Sequence, residues 1–366
     1  MAKRKKNERV EDEIPDQEIV PARYSITAYG ADYPVDSLIK RLRSNDILIP
    51  TFDPDVPVDQ NHSGFQRQFI WTKTQCDRFI DSLLLGFPVP GIFLAKRADE
   101  KLLVLDGQQR LRTLLAFCSG TLRGEPYQLE KVQTRYIGKT YESLDTEDRR
   151  RLDDSIIHAT IVRQDEPSDD QSSIYLIFER LNTGGTALQP QEIRVALHRE
   201  GLVSLIRDLN DVASWRKLYG KKSARLKDQE LILRFFAMLF WSKNYARPMK
   251  DFLNRYLDKN QTFKLQKAEE LQAIFTETSK TISLSLGGRA LRLEKTINAA
   301  VLDSVMVGVA SRLIEKKKTP SKARLRAAHA ALLRNKSFLE AVTRATADEE
   351  SVKTRLRLAR KAFAKT

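Results

Sequence analysis

One short segment of the sequence combines the residue types that bind phosphate. Residues 106–110 (DGQQR) follow the apolar run 102–105 (LLVL) and precede a helical pattern. This order predicts a strand, a tight turn and a helix, and the start of a helix presents backbone N–H groups and the positive end of the helix dipole. Gly107 lets a ligand approach the backbone, and Arg110 offers a planar fork of donors to phosphate oxygens.

The other side chains of this segment add to the same prediction. Gln108 and Gln109 can hydrogen-bond to a ligand or to water, and Asp106 can hold a metal ion or a hydroxyl group. A structural interpretation fits as well, because Asp106 with Gln109 three positions later is typical of a capping box. The local pattern leaves the anion site and the capped helix equally supported.

Residues 64–71 (GFQRQFIW) place two polar side chains among aromatic ones, just before a predicted helix. The aromatic residues are expected to pack into the core. Gln66 and Arg67 have no evident structural reason to be there, so they are candidate ligand-binding residues. A loop that only packs the aromatic side chains is the alternative.

Residues 177–185 (IFERLNTGG) end another predicted helix. Glu179 and Arg180 lie in its last turn, and Asn182 comes before a pair of glycines. Ordinary C-capping explains Asn182 and Gly184. A flexible loop that closes over a ligand explains the same residues, so both interpretations stay open.

Hydrophobic periodicity and capping residues predict the elements that position these segments. Three predicted helices are residues 33–43, 168–181 and 190–199. Another runs from Thr72 or Thr74 to about residue 85, and a further one starts at about residue 107. The predicted strands are 92–95 and 102–105, paired as a hairpin, and 156–162. We therefore expect an α+β chain: a flexible tail (1–22), a mixed α/β domain (23–200) and an all-α domain (201–366).

Positive charge is concentrated in the C-terminal part of the chain. The whole sequence has 63 lysines and arginines against 48 acidic residues, a net charge of +15. Residues 211–366 contain 34 lysines and arginines and 15 acidic residues, whereas residues 1–210 contain 29 lysines and arginines and 33 acidic residues. This surplus favours contact with DNA or RNA through the basic amphipathic stretches 316–334 and 353–365. Solvated basic helices without a partner are the alternative.

The composition also excludes several classes of protein. Two cysteines without a CxxC spacing exclude a disulfide framework and a structural zinc site, and they favour the cytoplasm. The basic residues 1–6 are not followed by an apolar segment, so no secretory signal is predicted. The apolar run 231–241 contains Arg234 and is too short to span a bilayer, so we expect no role at a membrane.

Taken together, these segments resemble the GmrSD-type restriction endonuclease N-terminal domain family. That family shows a QR…W element, a DGQQR motif and an F-x-R-x-N-x-G-G element, followed by an acidic residue and an arginine at a helix start. The corresponding residues here, in the same order, are Gln66-Arg67…Trp71, 106–110, 178–185, and Glu192 with Arg194. The resemblance covers about residues 35–200, and residues 228–235 also look like single-domain members.

The resemblance implies a ParB/sulfiredoxin-like fold, in which the equivalent strand, turn and helix hold nucleotide phosphates. It implies a nucleoside triphosphatase in anti-phage restriction of modified DNA, with Mg²⁺ as the expected cofactor and DNA as an expected partner. The preferred nucleotide and the oligomeric state stay open. Carried over by motif, the expected catalytic residues are Asp106, Gln108, Gln109, Arg110 and Glu179. The expected nucleotide-binding residues are Gln66, Arg67, Gly107, Arg180 and Asn182, and Asp106 is also the candidate metal ligand.

The sequence departs from its relatives in two ways. Sulfiredoxin needs a reactive cysteine within the motif, but Gln108 and Gln109 occupy it here and Cys118 lies more than two turns further along, which argues against sulfinic-acid reduction. The HNH nuclease motif of longer family members is not found, so a separate nuclease subunit is an expected partner. A metal-dependent endonuclease and a non-catalytic nucleic-acid-binding module are the alternatives. A loose nuclease-like match, Asp303 with residues 315–317, lies on predicted helices rather than strands.

Overall fold

The computed structural model describes residues 25–50, 71–97, 99–166, 172–181, 189–198 and 200–366. They separate into two compact units. The sheet unit comprises Arg23–Leu188 and Val195–Leu197, and the helical unit comprises Gln189–Arg194 and His198–Thr366. The predicted tail, residues 1–22, lies outside the described residues.

The described part of the sheet unit alternates strands and helices. Its strands are β1 (Ser25–Pro34), β2 (Ile47–Leu48), β3 (Ile92–Lys96), β4 (Leu102–Asp106), β5 (Thr121–Leu122), β6 (Glu125–Pro126) and β7 (Ile156–Glu166). Its helices are α1 (Val35–Arg43), α2 (Lys73–Leu84), α3 (Gln108–Cys118), α4 (Thr146–Asp153) and α5 (Ser172–Leu181). Helix α6 (Pro190–Leu197) follows. Its residues up to Arg194 belong to the helical unit, and Val195–Leu197 belong to the sheet unit.

The five main strands form a mixed sheet in the order β1-β7-β3-β4-β2. Strands β1 and β7 pair antiparallel, β7 and β3 parallel, β3 and β4 antiparallel, and β4 and β2 parallel. The predicted hairpin of β3 and β4 is confirmed. So is the predicted fold class, α+β with a mixed N-terminal part and a helical C-terminal part.

Strand β4, which leads into the DGQQR segment, is covered on both faces. Leu102 and Val104 belong to the core formed with α1, α2 and α3. Leu103 and Leu105 point to the opposite face, because side chains alternate along a strand, and they are also buried. Helix α5 packs against β4. The strand is therefore a rigid base for the turn at its end.

Of the two predicted capping residues, Thr72 and Thr74, Thr72 is the N-cap residue of α2. Its hydroxyl accepts a hydrogen bond from the N–H of Gln75, and the Gln75 side chain accepts one from the N–H of Thr72, which completes a capping box. The predicted apolar stripe of this helix is buried. Gly86, at φ +73°, follows the C-terminus, as the sequence predicts.

The helical unit is built from consecutive helices, as predicted for residues after 202. They are α7 (Leu202–Leu209), α8 (Ala213–Tyr219), α9 (Lys227–Phe240), α10 (Met249–Asn260), α11 (Ala268–Ser285), α12 (Ala299–Lys316), α13 (Lys322–Arg334), α14 (Lys336–Thr343) and α15 (Glu349–Phe363). Helix α12 is buried along most of its length and packs against α9, α11 and α15. It forms the centre of the unit.

A buried ion network ties α12 to two neighbouring helices. The Asp303 carboxylate, fully buried, accepts hydrogen bonds from Arg234 Nε at 2.8 and 3.0 Å and from Arg355 Nη2 at 3.1 Å. Both arginine side chains are also buried. Asp303, the residue of the loose nuclease-like match, therefore lies on a buried helix and binds two buried arginines. This contact stabilises the helical unit.

Within the described residues, no helix is both long and apolar enough to cross a membrane. The apolar run 231–241 forms most of the buried helix α9.

Candidate functional site

The DGQQR segment forms the turn between β4 and α3. Gly107 occupies the N-cap position of α3 in the left-handed region, at φ +95°. No side chain caps this helix start. The backbone N–H groups of the first turn of a helix have no partner within the helix, so this geometry suits an external acceptor.

Only glycine fits at this turn. A Cβ atom on residue 107 would lie 2.4 Å from Ile92 Cγ2 and 3.2 Å from Arg110 Nη2. Ile92 is 1% exposed, so its side chain cannot move aside into solvent. The absence of a side chain at Gly107 therefore lets β3 and the Arg110 guanidinium close around the start of α3.

The Arg110 side chain folds back over the turn. Its Nη2 donates to Asp106 Oδ2 at 2.8 Å and to the carbonyl oxygen of Gly91 at 2.8 Å. Its Nε is buried, and no acceptor among the described residues lies within hydrogen-bonding distance of it. The Arg110 side chain is 14% exposed and that of Asp106 44%. The guanidinium is thus fixed beside the helix start, and its buried Nε donor is unused.

The capping-box interpretation of Asp106 and Gln109 is wrong. Gly107 occupies the N-cap position, which places Asp106 one residue too early to cap α3. The Asp106 carboxylate binds Arg110 instead, and Gln109 Oε1 accepts a hydrogen bond from the N–H of Trp71 at 3.4 Å. The side chains that the pattern assigned to the cap are therefore used for other contacts.

The described end of the QR…W element lies against the DGQQR turn. Trp71 contacts Gln109 through its N–H, and its carbonyl oxygen accepts from Arg123 Nη2 at 2.5 Å. Its ring meets that of Phe79 edge-on, with centroids 5.7 Å apart. Two elements that the sequence separates by about 35 residues are thus brought together. Gln66 and Arg67 lie outside the described residues, and so does Asn182.

Glu179 and Arg180 lie in the last turn of α5 with exposed side chains. The preceding Phe178 is fully buried. Helix α5 packs against β4 and β7, so both residues belong to an element that contacts the strand leading into the turn.

The acidic residue and arginine at the start of α6 belong to the helical unit and stabilise it. Arg194 is fully buried, and it donates to Asn254 Oδ1 at 2.8 Å and to Glu230 Oε2 at 2.7 Å. Glu192 binds Arg225 through both carboxylate oxygens, at 2.9 and 2.8 Å. These family-motif residues are therefore structural ion pairs.

The residues that could hold a metal are few. No group of three or more His, Cys, Asp or Glu side chains among the described residues could form a cation site. Asp106 is a single, half-exposed carboxylate beside the turn. Its Oδ2 accepts from Arg110 Nη2, so Asp106 is the one residue of the turn that could offer a carboxylate oxygen to a cation.

Neither cysteine is prepared for thiolate chemistry. Burial, assisted by the negative charge of Asp153, raises the pKa of the Cys118 thiol to about 12. Burial also raises the pKa of Cys76. Since the thiolate is the reactive form, both thiols stay protonated near neutral pH. This result agrees with the sequence argument against sulfinic-acid reduction.

Comparison with known proteins identifies the N-terminal part of the chain. Residues 39–199 match the family model of the GmrSD restriction endonuclease, N-terminal domain. The family predicted from the three motifs is thereby confirmed for this part of the chain. A search of curated proteins finds no match.

Proposed function

We propose that the chain is the nucleotide-dependent component of a DNA restriction system, because residues 39–199 match the family model of the GmrSD restriction endonuclease, N-terminal domain. In this proposal it binds and hydrolyses a nucleoside triphosphate in the cytoplasm, as part of defence against phages with modified DNA. The helical unit contacts DNA, and a separate nuclease subunit is the proposed partner for cleavage.

One observation carries the nucleotide proposal: a fixed arginine lies beside a helix start that has no side-chain cap. The start of α3 provides backbone N–H donors, and Arg110 provides guanidinium donors at the same place. Phosphate oxygens are the ligands that such a combination binds best. The turn is also too tight for any side chain at residue 107, as in other backbone cradles for phosphate.

Binding exchanges one partner of Arg110 for another. Arg110 now pairs with a carboxylate that is 44% exposed, and such a pair stabilises a protein by only about 0–1 kcal/mol. Carboxylate and phosphate both form charge-assisted hydrogen bonds with a guanidinium group, and the phosphate competes for Arg110 because it carries more negative charge. The phosphate therefore displaces Asp106 from Nη2, while the Gly91 carbonyl keeps the guanidinium in position.

The remaining residues have roles that follow from their chemistry. Asp106, released from Arg110, is the residue that would hold Mg²⁺, whose charge would offset that of the phosphate oxygens. Gln108, Gln109 and Glu179 are proposed to orient the attacking water. Gln66, Arg67, Arg180 and Asn182 are proposed to bind the nucleotide from the segments that flank the turn.

Calorimetric titration with each of the four ribonucleoside triphosphates and Mg²⁺ tests the proposal. Arg110→Ala is expected to lower affinity about 10- to 100-fold, since a hydrogen bond to a charged group contributes roughly 1.5–3 kcal/mol. Turnover should fall with it. Arg78→Ala is the matched control, because Arg78 is an exposed arginine on α2 of the same unit. Unchanged nucleotide turnover in Arg110→Ala would remove the proposed site.

The two alternative functions give different results in the same preparation. Metal-dependent DNA cleavage without any nucleotide would favour an endonuclease. Salt-sensitive DNA binding without affinity for any of the four nucleotides would favour a non-catalytic module, in which the pair of Arg110 and Asp106 only stabilises the turn.

A further inference from the structure

Helix α13 and the loop before it are unusually basic. Residues 316–339 contain eight lysines and arginines and no acidic residue. Six of the eight lie at the end of α12, in the loop or in the first half of α13: Lys316, Lys317, Lys318, Lys322, Arg324 and Arg326. All eight are exposed, and within the described part of the chain none of them forms an ion pair. Arg326 Nε donates to the carbonyl oxygen of Ser285 at 2.7 Å, and the charge of the other seven is available to an external partner.

The exposed face of α13 combines small side chains with cations. Only Leu325 and Leu332 are buried, and they attach the helix to its unit. Ala323, Ala327 and Ala330, at helical spacing, are exposed on the opposite face. At 100° per residue, Arg324 and Arg326 lie on the two sides of this alanine face. Small side chains let the helix backbone come close to a large surface, with a guanidinium on each side.

The end of the helix adds to the positive field. Ser321 is the N-cap residue, its side chain makes no capping hydrogen bond, and no acidic residue lies in the first turn. The positive end of the helix dipole is thus unopposed, beside Lys322 and the lysine loop. With 13 residues, α13 is about 20 Å long, enough to follow several phosphates of a duplex, which carries one charge per roughly 1.7 Å of axis.

We infer that α13 and residues 316–318 dock on the phosphate backbone of double-stranded DNA, without reading its sequence. The inference deepens the proposed DNA contact of the helical unit but does not depend on the nucleotide site. Proteins that bind single strands stack bases on exposed aromatic rings. The one aromatic residue in 316–339 is Phe338, and it is fully buried. The surface offers charge without stacking, which fits a duplex.

The salt dependence of binding measures this contact. Four cations that neutralise four phosphates give a slope of about −3.6 for log Kobs against log salt, since each contact contributes about −0.9. Affinity then falls about 150-fold between 50 and 200 mM salt. Replacing two of the four cations reduces the magnitude of the slope by about 1.8. The affinity then falls only about 12-fold over the same range of salt concentration.

The test uses the full chain, a fluorescent 30-base-pair duplex of unmodified bases, and one of its strands alone. The variant is Lys322→Gln with Arg324→Gln, because glutamine keeps the helix propensity. The matched control is Lys264→Gln with Lys267→Gln, which removes the same charge from exposed lysines near Glu269 and Glu270. Circular dichroism establishes that both variants keep the helical content of the wild type.

The expected result is a slope reduced by about 1.8 in the α13 variant alone, with the duplex bound more tightly than the single strand. Equal slopes in the variant and the wild type would overturn the inference. So would an equal reduction in the control, or tighter binding of the single strand. Nucleotide affinity measured without DNA should be the same in all three proteins, so failure here is distinct from failure of the nucleotide proposal.

Discussion

Replacement of Gly107 by alanine tests the geometry on which the site depends. The alanine would have to adopt φ +95°, a left-handed conformation that costs an L-residue about 1–2 kcal/mol. Its Cβ would also lie 2.4 Å from Ile92 Cγ2, and forcing extra atoms into a packed core costs about 1–3 kcal/mol. We expect the free energy of unfolding to fall by about 2–5 kcal/mol, the sum of the two.

Two further variants separate the backbone contribution from the steric one. Gly120 also has a left-handed φ, +74°, but a Cβ there would meet nothing within 4 Å. Gly120→Ala should therefore cost only the backbone part, about 1–2 kcal/mol. Ile92→Ala in the background of Gly107→Ala removes the closest contact, so the two substitutions should be less destabilising together than the sum of their separate effects.

Urea denaturation of the full chain, followed by circular dichroism, measures these differences. The reasoning is refuted if Gly107→Ala is no more destabilising than Gly120→Ala, or if the effects of Gly107→Ala and Ile92→Ala are additive. Nucleotide affinity of the folded variant gives a second measurement. The same Cβ would lie 3.2 Å from Arg110 Nη2, so affinity should fall even where the variant stays folded.

The remaining predictions concern the helical unit. Asp303→Asn leaves two buried guanidinium groups without a counter-charge, so the free energy of unfolding should fall by about 3–5 kcal/mol. The control Glu350→Gln, in an exposed ion pair, should lower it by only about 0–1 kcal/mol. Similar losses for the two variants in urea denaturation would contradict the assignment of a buried network. Burial lowers the pKa of His329 below its usual 6.5, partly opposed by the Ala290 carbonyl 2.9 Å from Nε2. Stability should therefore be fully present above pH 6.5 and decrease as the pH falls through the folded-state pKa, because the unfolded chain takes up the proton first. His329→Gln should flatten this dependence in denaturation series at several pH values, and an equally steep dependence in that variant would rule out His329 as its source.

The local elements of the site were predictable from the sequence. An apolar run, a glycine and a helical pattern are enough to predict β4, the turn and α3, because each depends on residues a few positions apart. A cap of α2 by Thr72 or Thr74 and the β3–β4 hairpin were predictable for the same reason. Strand β1 was not, since its side chains are mostly exposed and form no apolar run.

Local pattern could not decide which contacts the motif residues make. Whether Asp106 caps α3 or pairs with Arg110 depends on the left-handed conformation of Gly107, and that conformation depends on how closely Ile92 of the neighbouring strand packs. Arg194 belongs to the family motif at the start of α6, and its partner Asn254 lies 60 positions away in the chain, which no local pattern shows.

By itself, the sequence determined the elements around the DGQQR segment, the family motifs and the basic character of the C-terminal helices. Only the tertiary structure decided that Arg110 is held between Asp106 and the Gly91 carbonyl, and that Asp303 is enclosed by arginines. The physical reason is that secondary structure depends on neighbours within a few residues. The partner of a charged side chain depends on which distant groups the packed core brings within about 3 Å of it.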